Sequence, residues 1–230
     1  MQAPYPRGLR TPPPPDSPPS LPRSLPHTIP EPPGVYAMTS PKVLAFAGSS
    51  RRDSMNKKLL RVAAAGAQEA GAAVTLLDLT DYPLPIYDGD LEAAEGIPDN
   101  AHRLKDLFLQ HHALLIACPE YNSSITPLLK NTIDWVSRPR DADGGPLGCF
   151  KGKTAGLVAA SGGNLGGLRG LVHVRAILSN IAVLVVPEQF ALPRADTAFD
   201  EAGRLKDQGA EKSAKAVGAA TTRVAASLLR

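Results

Sequence analysis

The chain has 230 residues, with 25 Lys and Arg against 22 Asp and Glu and a formal net charge of +3. That length supplies a core for one domain of ordinary size, and a near-balanced charge without a basic block excludes nucleic acid as the default partner. No apolar run reaches the roughly 18 residues needed to span a bilayer, and the only cysteines, Cys118 and Cys149, suit free thiols in a reducing compartment, so a cytoplasmic protein is expected.

Thirteen of the 23 prolines fall in residues 1–37. The stretch "TPPPPDSPPSLPRSLPHTIPEPP" has no apolar periodicity and too little apolar surface to offset the entropy of ordering. Residues 1–38 are therefore expected to be a disordered tail. The tail lacks the apolar core of a secretory signal, and Asp16, Glu31 and the density of proline argue against a transit peptide. Met38, ahead of "TSPKVLAFAG", would itself serve as a start, which would make the tail an artefact of a misplaced gene boundary.

From residue 42 strand and helix patterns alternate. Short apolar runs at Val43–Ala47, Val74–Leu77, Leu114–Cys118, Thr154–Ala160 and Ala182–Val186 show no polar alternation, as expected of parallel strands covered on both faces. Leu59, Leu60, Ala63, Ala67 and Ala70 share a face of the first helix. Pro98 and Asp99 open a second, with Ala101, Leu104 and Phe108 inward. Thr126 caps a third that begins at Pro127, where a missing N–H costs nothing, and turns Leu129, Ile133 and Val136 to the core. Leu168, Leu171, Val172 and Leu178 mark a fourth. Ala210, Ala214, Val217, Thr221, Val224 and Leu228 mark the last. The alternation predicts a doubly wound α/β domain over residues 39–230, with a five-stranded parallel sheet in the order 2-1-3-4-5.

In such a sheet ligands bind beyond the carboxyl ends of the strands, where strand order reverses. For this order the point lies between the first and third strands, flanked by the loops after Ala47 and Cys118. The first loop, "GSSRRDSMNKKL", brings Ser49, Ser50, Arg51, Arg52, Ser54 and Asn56 to a helix N-terminus. One serine there would be an ordinary cap; hydroxyls, guanidinium and free backbone N–H groups together make a phosphate site. No G-x-G-x-x-G follows that strand, and "GCFKGKT" is one residue short of a P-loop and precedes a strand, so it reads as an ordinary loop with a solvated lysine pair. The second loop, Pro119 to Asn122, offers a fixed turn, a ring wall from Tyr121 and exposed N–H groups, which suit a flat heterocycle. A third, "SGGNLGGLRG", follows the fourth strand and lets backbone approach a ligand closely.

The segments "AGSSRRDSMNKKL", "PLPIYDGD", "PEYNSSITPLLKNTIDWVSRP" and "ASGGNLGGLRG" resemble, in order and spacing, the NADPH-dependent FMN reductase family, which includes bacterial chromate and quinone reductases. The resemblance spans residues 42–190. It implies a flavodoxin-like fold, FMN with NADPH or NADH as cofactors, and a homodimer or homotetramer with the flavin at the subunit interface. It implies that Ser49, Arg51, Ser54, Met55 and Asn56 hold the phosphate end of FMN. Pro119, Glu120, Tyr121 and Asn122 would line the isoalloxazine, and Ser161, Gly162 and Gly163 would approach it from the third loop. The loop around Tyr87 and Asp88 would help to wall the site. Hydride would pass from NAD(P)H by way of FMN to a small-molecule acceptor such as a quinone, chromate or free flavin.

Because the cofactor carries that chemistry, no side chain is assigned as catalytic. Glu120 reads as a carboxylate that fixes its loop or meets another subunit. Cys118 and Trp135 read as packing, and Arg138 and Arg140 as charge complementing a helix C-terminus. His102, His111, His112 and His173 lack metal-ligand spacing. A non-enzymatic flavodoxin-type carrier is the second reading, disfavoured by the arginines of the first loop. A receiver-type regulatory domain would need acidic residues where Gly48-Ser49-Ser50 and Cys118-Pro119-Glu120 stand.

Overall fold

In the computed structural model, which describes residues 40–229, β1 (Lys42–Ala47) is buried from its second residue onward. Along the chain follow α1 (Met55–Glu69), β2 (Ala73–Leu77), α2 (Gly89–Glu95), α3 (Asp99–Gln110), β3 (Ala113–Ala117), the short β4 (Glu120–Tyr121) and β5 (Ser124–Ile125), α4 (Pro127–Ser137), β6 (Thr154–Ala160), α5 (Leu168–Asn180), β7 (Leu184–Leu192) and α6 (Gln208–Leu228). The tail expected over residues 1–38 lies outside the described residues. Among the described residues no helix is long and apolar enough to cross a membrane.

The main sheet runs β2-β1-β3-β6-β7, parallel throughout. With the β4–β5 hairpin set aside, this is the expected 2-1-3-4-5. Successive residues of a strand face opposite sides of a sheet, and the core divides accordingly. Leu44, Phe46, Leu114 and Ile116 pack with Leu104 and Phe108 of α3, Leu129 and Ile133 of α4, and Leu171 and Leu178 of α5. Val43, Ala45 and Leu115 pack on the other face with Leu59 and Ala63 of α1 and Ala214 and Val217 of α6. There α1 and α6 meet backbone to backbone. A Cβ on Gly218 would lie 1.9 Å from Ala63 O, and one on Gly66 2.2 Å from Lys215 O.

Burial on both faces holds for β1, β3 and β6 and fails for β2 and β7, which are the edges of the sheet. The fifth strand also lies later than the expected Ala182–Val186. Ala182 sits in a left-handed turn, and the strand carries Pro187, which an edge tolerates because it has no N–H to offer a ladder. The register with β6 skips between Ala155 and Leu157, and the Arg175 guanidinium donates there to Val185 O, Val186 O and Gln189 Oε1.

Three helix faces are corrected: in α1, Ala70 is exposed and forms the C-cap past the helix end. In α5 the buried positions are Gly170, Leu171, Val174 and Leu178, while Leu168 and Val172 are exposed. The helix is turned so that Gly170 faces the hairpin, where a Cβ would come within 3.4 Å of Ser124 O. In α6 Leu228 is exposed and Ala225 takes its place in the core. Lys153 is buried, not solvated. Its ammonium donates to His111 O, and burial lowers its pKa.

Candidate functional site

β1, β3 and β6 are neighbours, so the loops leaving their carboxyl ends are neighbours too. At the first tip the Gly48 N–H donates to Ala117 O at 2.9 Å, and Gly48 O accepts from Thr126 Oγ1 at 2.6 Å. Thr126 Oγ1 also accepts from Leu129 N as the cap of α4. One threonine thus caps a helix and stitches the loop after β1 to the one after β3.

Ser54 caps α1, its Oγ accepting from Lys57 N at 3.3 Å. Ser49 Oγ accepts from Arg51 N at 3.3 Å. Both serines are buried, and among the described residues each hydroxyl only accepts, so each keeps a proton to donate. The first-turn N–H groups of Met55 and Asn56 have no carbonyl four residues back inside the helix. The exposed Arg51 belongs to the same loop. Its one carboxylate, Asp53, is engaged by Lys58 at 2.6 Å; that bond and charge hold its pKa below the ordinary value. Lys57 reaches the other way, to Asp78 at 2.6 Å.

Asn56 carries a long-range tether. Its Nδ2 donates to Ala160 O at 2.8 Å and its Oδ1 accepts from Ala160 N at 2.9 Å. Both ends of the amide thus engage the last residue of β6, while the second Nδ2 proton and the backbone N–H stay free to be offered.

The second loop is a hairpin, which the sequence reading missed. Glu120 pairs with Ile125 and Tyr121 with Ser124. The two residues between them, Asn122 (φ 49°) and Ser123 (φ 66°), are both left-handed, as a two-residue hairpin turn demands and as asparagine tolerates. Asn122 therefore serves the turn. Pro119 is buried, and Tyr121 is 50% exposed. The hairpin is docked on α5: Glu120 Oε1 accepts from Arg169 Nε at 3.0 Å and Nη2 at 2.6 Å, and Oε2 accepts from Gly170 N at 3.0 Å. His173 Nδ1 meets Ser124 Oγ at 2.9 Å. Burial alone would raise the Glu120 pKa, but the Gly170 and Arg169 bonds outweigh it and hold the carboxyl below its ordinary value. That is a fixed anion, not a proton carrier.

In the third loop Ser161 Oγ accepts from Gly163 N at 3.2 Å, and Ser161 is held to the following turn through Leu192 O and Ala195 N. The glycines divide by purpose. Gly162 and Gly163 are exposed, and a Cβ on either would make only ordinary contacts, at 3.7 Å. Gly166 (φ 62°) and Gly167 (φ 92°) are left-handed, and a Cβ on Gly167 would lie 2.8 Å from Ala159 Cβ. These two serve the chain itself.

The Tyr87 loop is clamped to α4. Tyr87 N donates to Asn131 Oδ1, Trp135 Nε1 donates to Pro85 O, each at 2.8 Å, and the two rings meet edge to face with centroids 5.0 Å apart. Arg138 pairs with Glu92 at 2.8 Å; it does not cap its own helix. That task falls to Lys105, fully buried, which donates to Val136 O and Arg138 O and pairs with Asp143 at 2.7 Å. Arg140 joins Asp143 and Asp106. Thr126, Arg169 and Lys105 were not singled out as anchors from sequence, because their partners lie 78, 49 and 31 to 38 residues away. Among the described residues no cluster of His, Cys, Asp and Glu could hold a metal ion.

The arrangement has counterparts among known proteins. The sequence profile of the NADPH-dependent FMN reductase family matches residues 41–197. An NAD(P)H-dependent FMN reductase of Pseudomonas aeruginosa is 38% identical over 173 residues, covering 74% of this chain and 88% of that protein. A quinone reductase of Escherichia coli K12 is 32% identical over 173 residues, covering 73% and 86%. Among solved structures FerB, a flavoenzyme NAD(P)H:(acceptor) oxidoreductase from Paracoccus denitrificans, superposes with a TM-score of 0.64 at 28% identity, over 80% of this chain and 96% of that one. Sequence and fold agree, and the chain belongs to the NADPH-dependent FMN reductase family.

Proposed function

We propose that residues 39–230 form an FMN-containing, NAD(P)H-dependent oxidoreductase whose acceptor is a two-electron oxidant such as a quinone, chromate or free flavin. The observation that carries this reading is the unspent donor set at the head of α1. Two buried serine hydroxyls with protons to give, Ser49 and Ser54, stand with Arg51 and the first-turn N–H groups of Met55 and Asn56. That set fits a phosphate dianion at the positive end of a helix dipole. The half-exposed Tyr121 and the exposed Gly162 and Gly163, next to Ser161, fit a flat ring system.

When bound, FMN supplies the hydride chemistry. The chain's own residues hold and orient. Ser49, Arg51 and Ser54 take the phosphate; Pro119, Glu120, Tyr121 and Asn122 form a rigid edge whose carboxylate is neutralised by Arg169. The two free cysteines, both buried, support a reducing, cytoplasmic setting. Exposed Leu165, Leu168, Val172 and Tyr121 support assembly into a homodimer or homotetramer.

The test is reconstitution of the purified protein with FMN, followed by NADPH and NADH oxidation against quinone, chromate, ferric complexes and free flavin. Turnover with at least one acceptor is expected. Tight FMN binding with no oxidation of either nicotinamide would make the protein a carrier, and failure to take up flavin would overturn the reading.

A further inference from the structure

Asn56 is buried at 4% exposure, with both ends of its amide bonded to the backbone of Ala160, 104 residues away. It sits in the first turn of α1, two residues past the cap Ser54. Ala160 is the last residue of β6, directly before Ser161, Gly162 and Gly163. The bond pair therefore joins the head of the phosphate loop to the root of the glycine loop. Parallel β1 and β6 are not adjacent in the sheet, since β3 lies between them, so no ladder bond fixes one tip against the other. The stitch from Thr126 to Gly48 covers only the β1 and β3 loops.

We propose that Asn56 is a positioning residue: it sets the distance between the phosphate-holding loop and the loop that faces the ring, and contributes to flavin binding through the glycine loop instead of through its side chain at the phosphate. This rests on the FMN reading above. The chemistry of an amide suits the task, because one planar group offers a donor and an acceptor side by side to the C=O and N–H of a single residue. Buried as it is, losing either bond leaves an unsatisfied backbone group, which makes the tether costly to break.

The inference separates cleanly from a phosphate contact, because riboflavin lacks the phosphate. Asn56→Ala should weaken FMN and riboflavin by the same factor, about tenfold or more, measured by flavin fluorescence quenching. Asn56→Asp guards against a fold defect. At neutral pH its carboxylate keeps the bond from Ala160 N but faces Ala160 O without a proton. Acidification protonates it, helped by burial, which raises a carboxyl pKa, and it regains the donor, so affinity for both flavins should recover in acid while the wild type shows no such recovery. Faster amide exchange at Ala160 should accompany the Asn56→Ala loss. Loss confined to FMN, or a riboflavin affinity untouched in both variants, would overturn the assignment and return Asn56 to the phosphate. Wild-type protein that takes up neither flavin would overturn the functional reading itself.

Discussion

Arg169 Nη2 donates to Glu120 Oε1 at 2.6 Å while the neighbouring Gly170 N–H donates to Oε2 at 3.0 Å. Both carboxylate oxygens are thus committed to the start of α5. The side chain of Glu120 is 8% exposed, against 56% for Arg169, so the carboxylate is the sheltered partner and the arginine the wet one. The pair pins the β4–β5 hairpin, and with it Tyr121, against the helix that follows the glycine loop.

Glu120→Gln should therefore leave hydride transfer largely intact. Stopped-flow reduction of the FMN-loaded variant by NADPH checks this. A loss of about 10³-fold with FMN still bound, equal to about 4 kcal/mol of transition-state stabilisation, would make Glu120 a participant in the chemistry.

The same carboxylate carries a pH signature. The folded pKa of Glu120 is depressed, as is that of Asp143, where the Lys105 and Arg140 bonds outweigh burial. Depressed carboxyl values give stability that is fully present above the unfolded-state pKa and lost as pH falls through the folded one. Thermal melts should show wild type more stable than Glu120→Gln at neutral pH, with the gap closing in acid. A gap that widens in acid would contradict the sign.

Arg51→Ala should weaken FMN about tenfold, as befits one charge-assisted hydrogen bond, and leave riboflavin affinity unchanged. Fluorescence titration with the two flavins measures the ratio. Equal FMN affinity before and after the change would remove Arg51 from the phosphate site.

Asp143→Ala should cost about 3–5 kcal/mol, because it leaves the Lys105 ammonium buried without its counter-charge. Denaturant unfolding measures the loss, and Lys105→Met added to it should recover only part of it, because Val136 O and Arg138 O then lose their donor. A loss under about 1 kcal/mol would show the pair to be solvated in practice.

Gly218→Ala should destabilise by at least about 2 kcal/mol, since a methyl group 1.9 Å from Ala63 O forces α1 and α6 apart. The melting temperature reports it. Because the proposed phosphate loop leads into α1, FMN affinity should fall as well.

Much of this fold was legible one segment at a time. Uninterrupted apolar runs such as Leu114 to Ala117 announce a strand covered on both faces, and Thr126 followed by Pro127 announces a helix start, because burial and capping act over a few residues. The placement of Ser49, Arg51 and Ser54 at a strand tip was readable for the same reason. What misled was the face of α5, where Leu168 and Val172 share a helical stripe with Leu171 yet lie exposed. Periodicity shows that a face exists, but the neighbours decide which face is covered.

The sequence by itself determined the alternation of strands and helices, the donor-rich and glycine-rich loops, and the family to which they point, since each is written in contiguous residues. Only the tertiary structure decided what those loops do with their side chains. Asn56 is bonded to Ala160, Glu120 is neutralised by Arg169, and Asn122 is spent on a left-handed turn. The physical reason is common to the first two: a buried polar group must be satisfied, and the partner that satisfies it is chosen by packing across 104 or 49 residues.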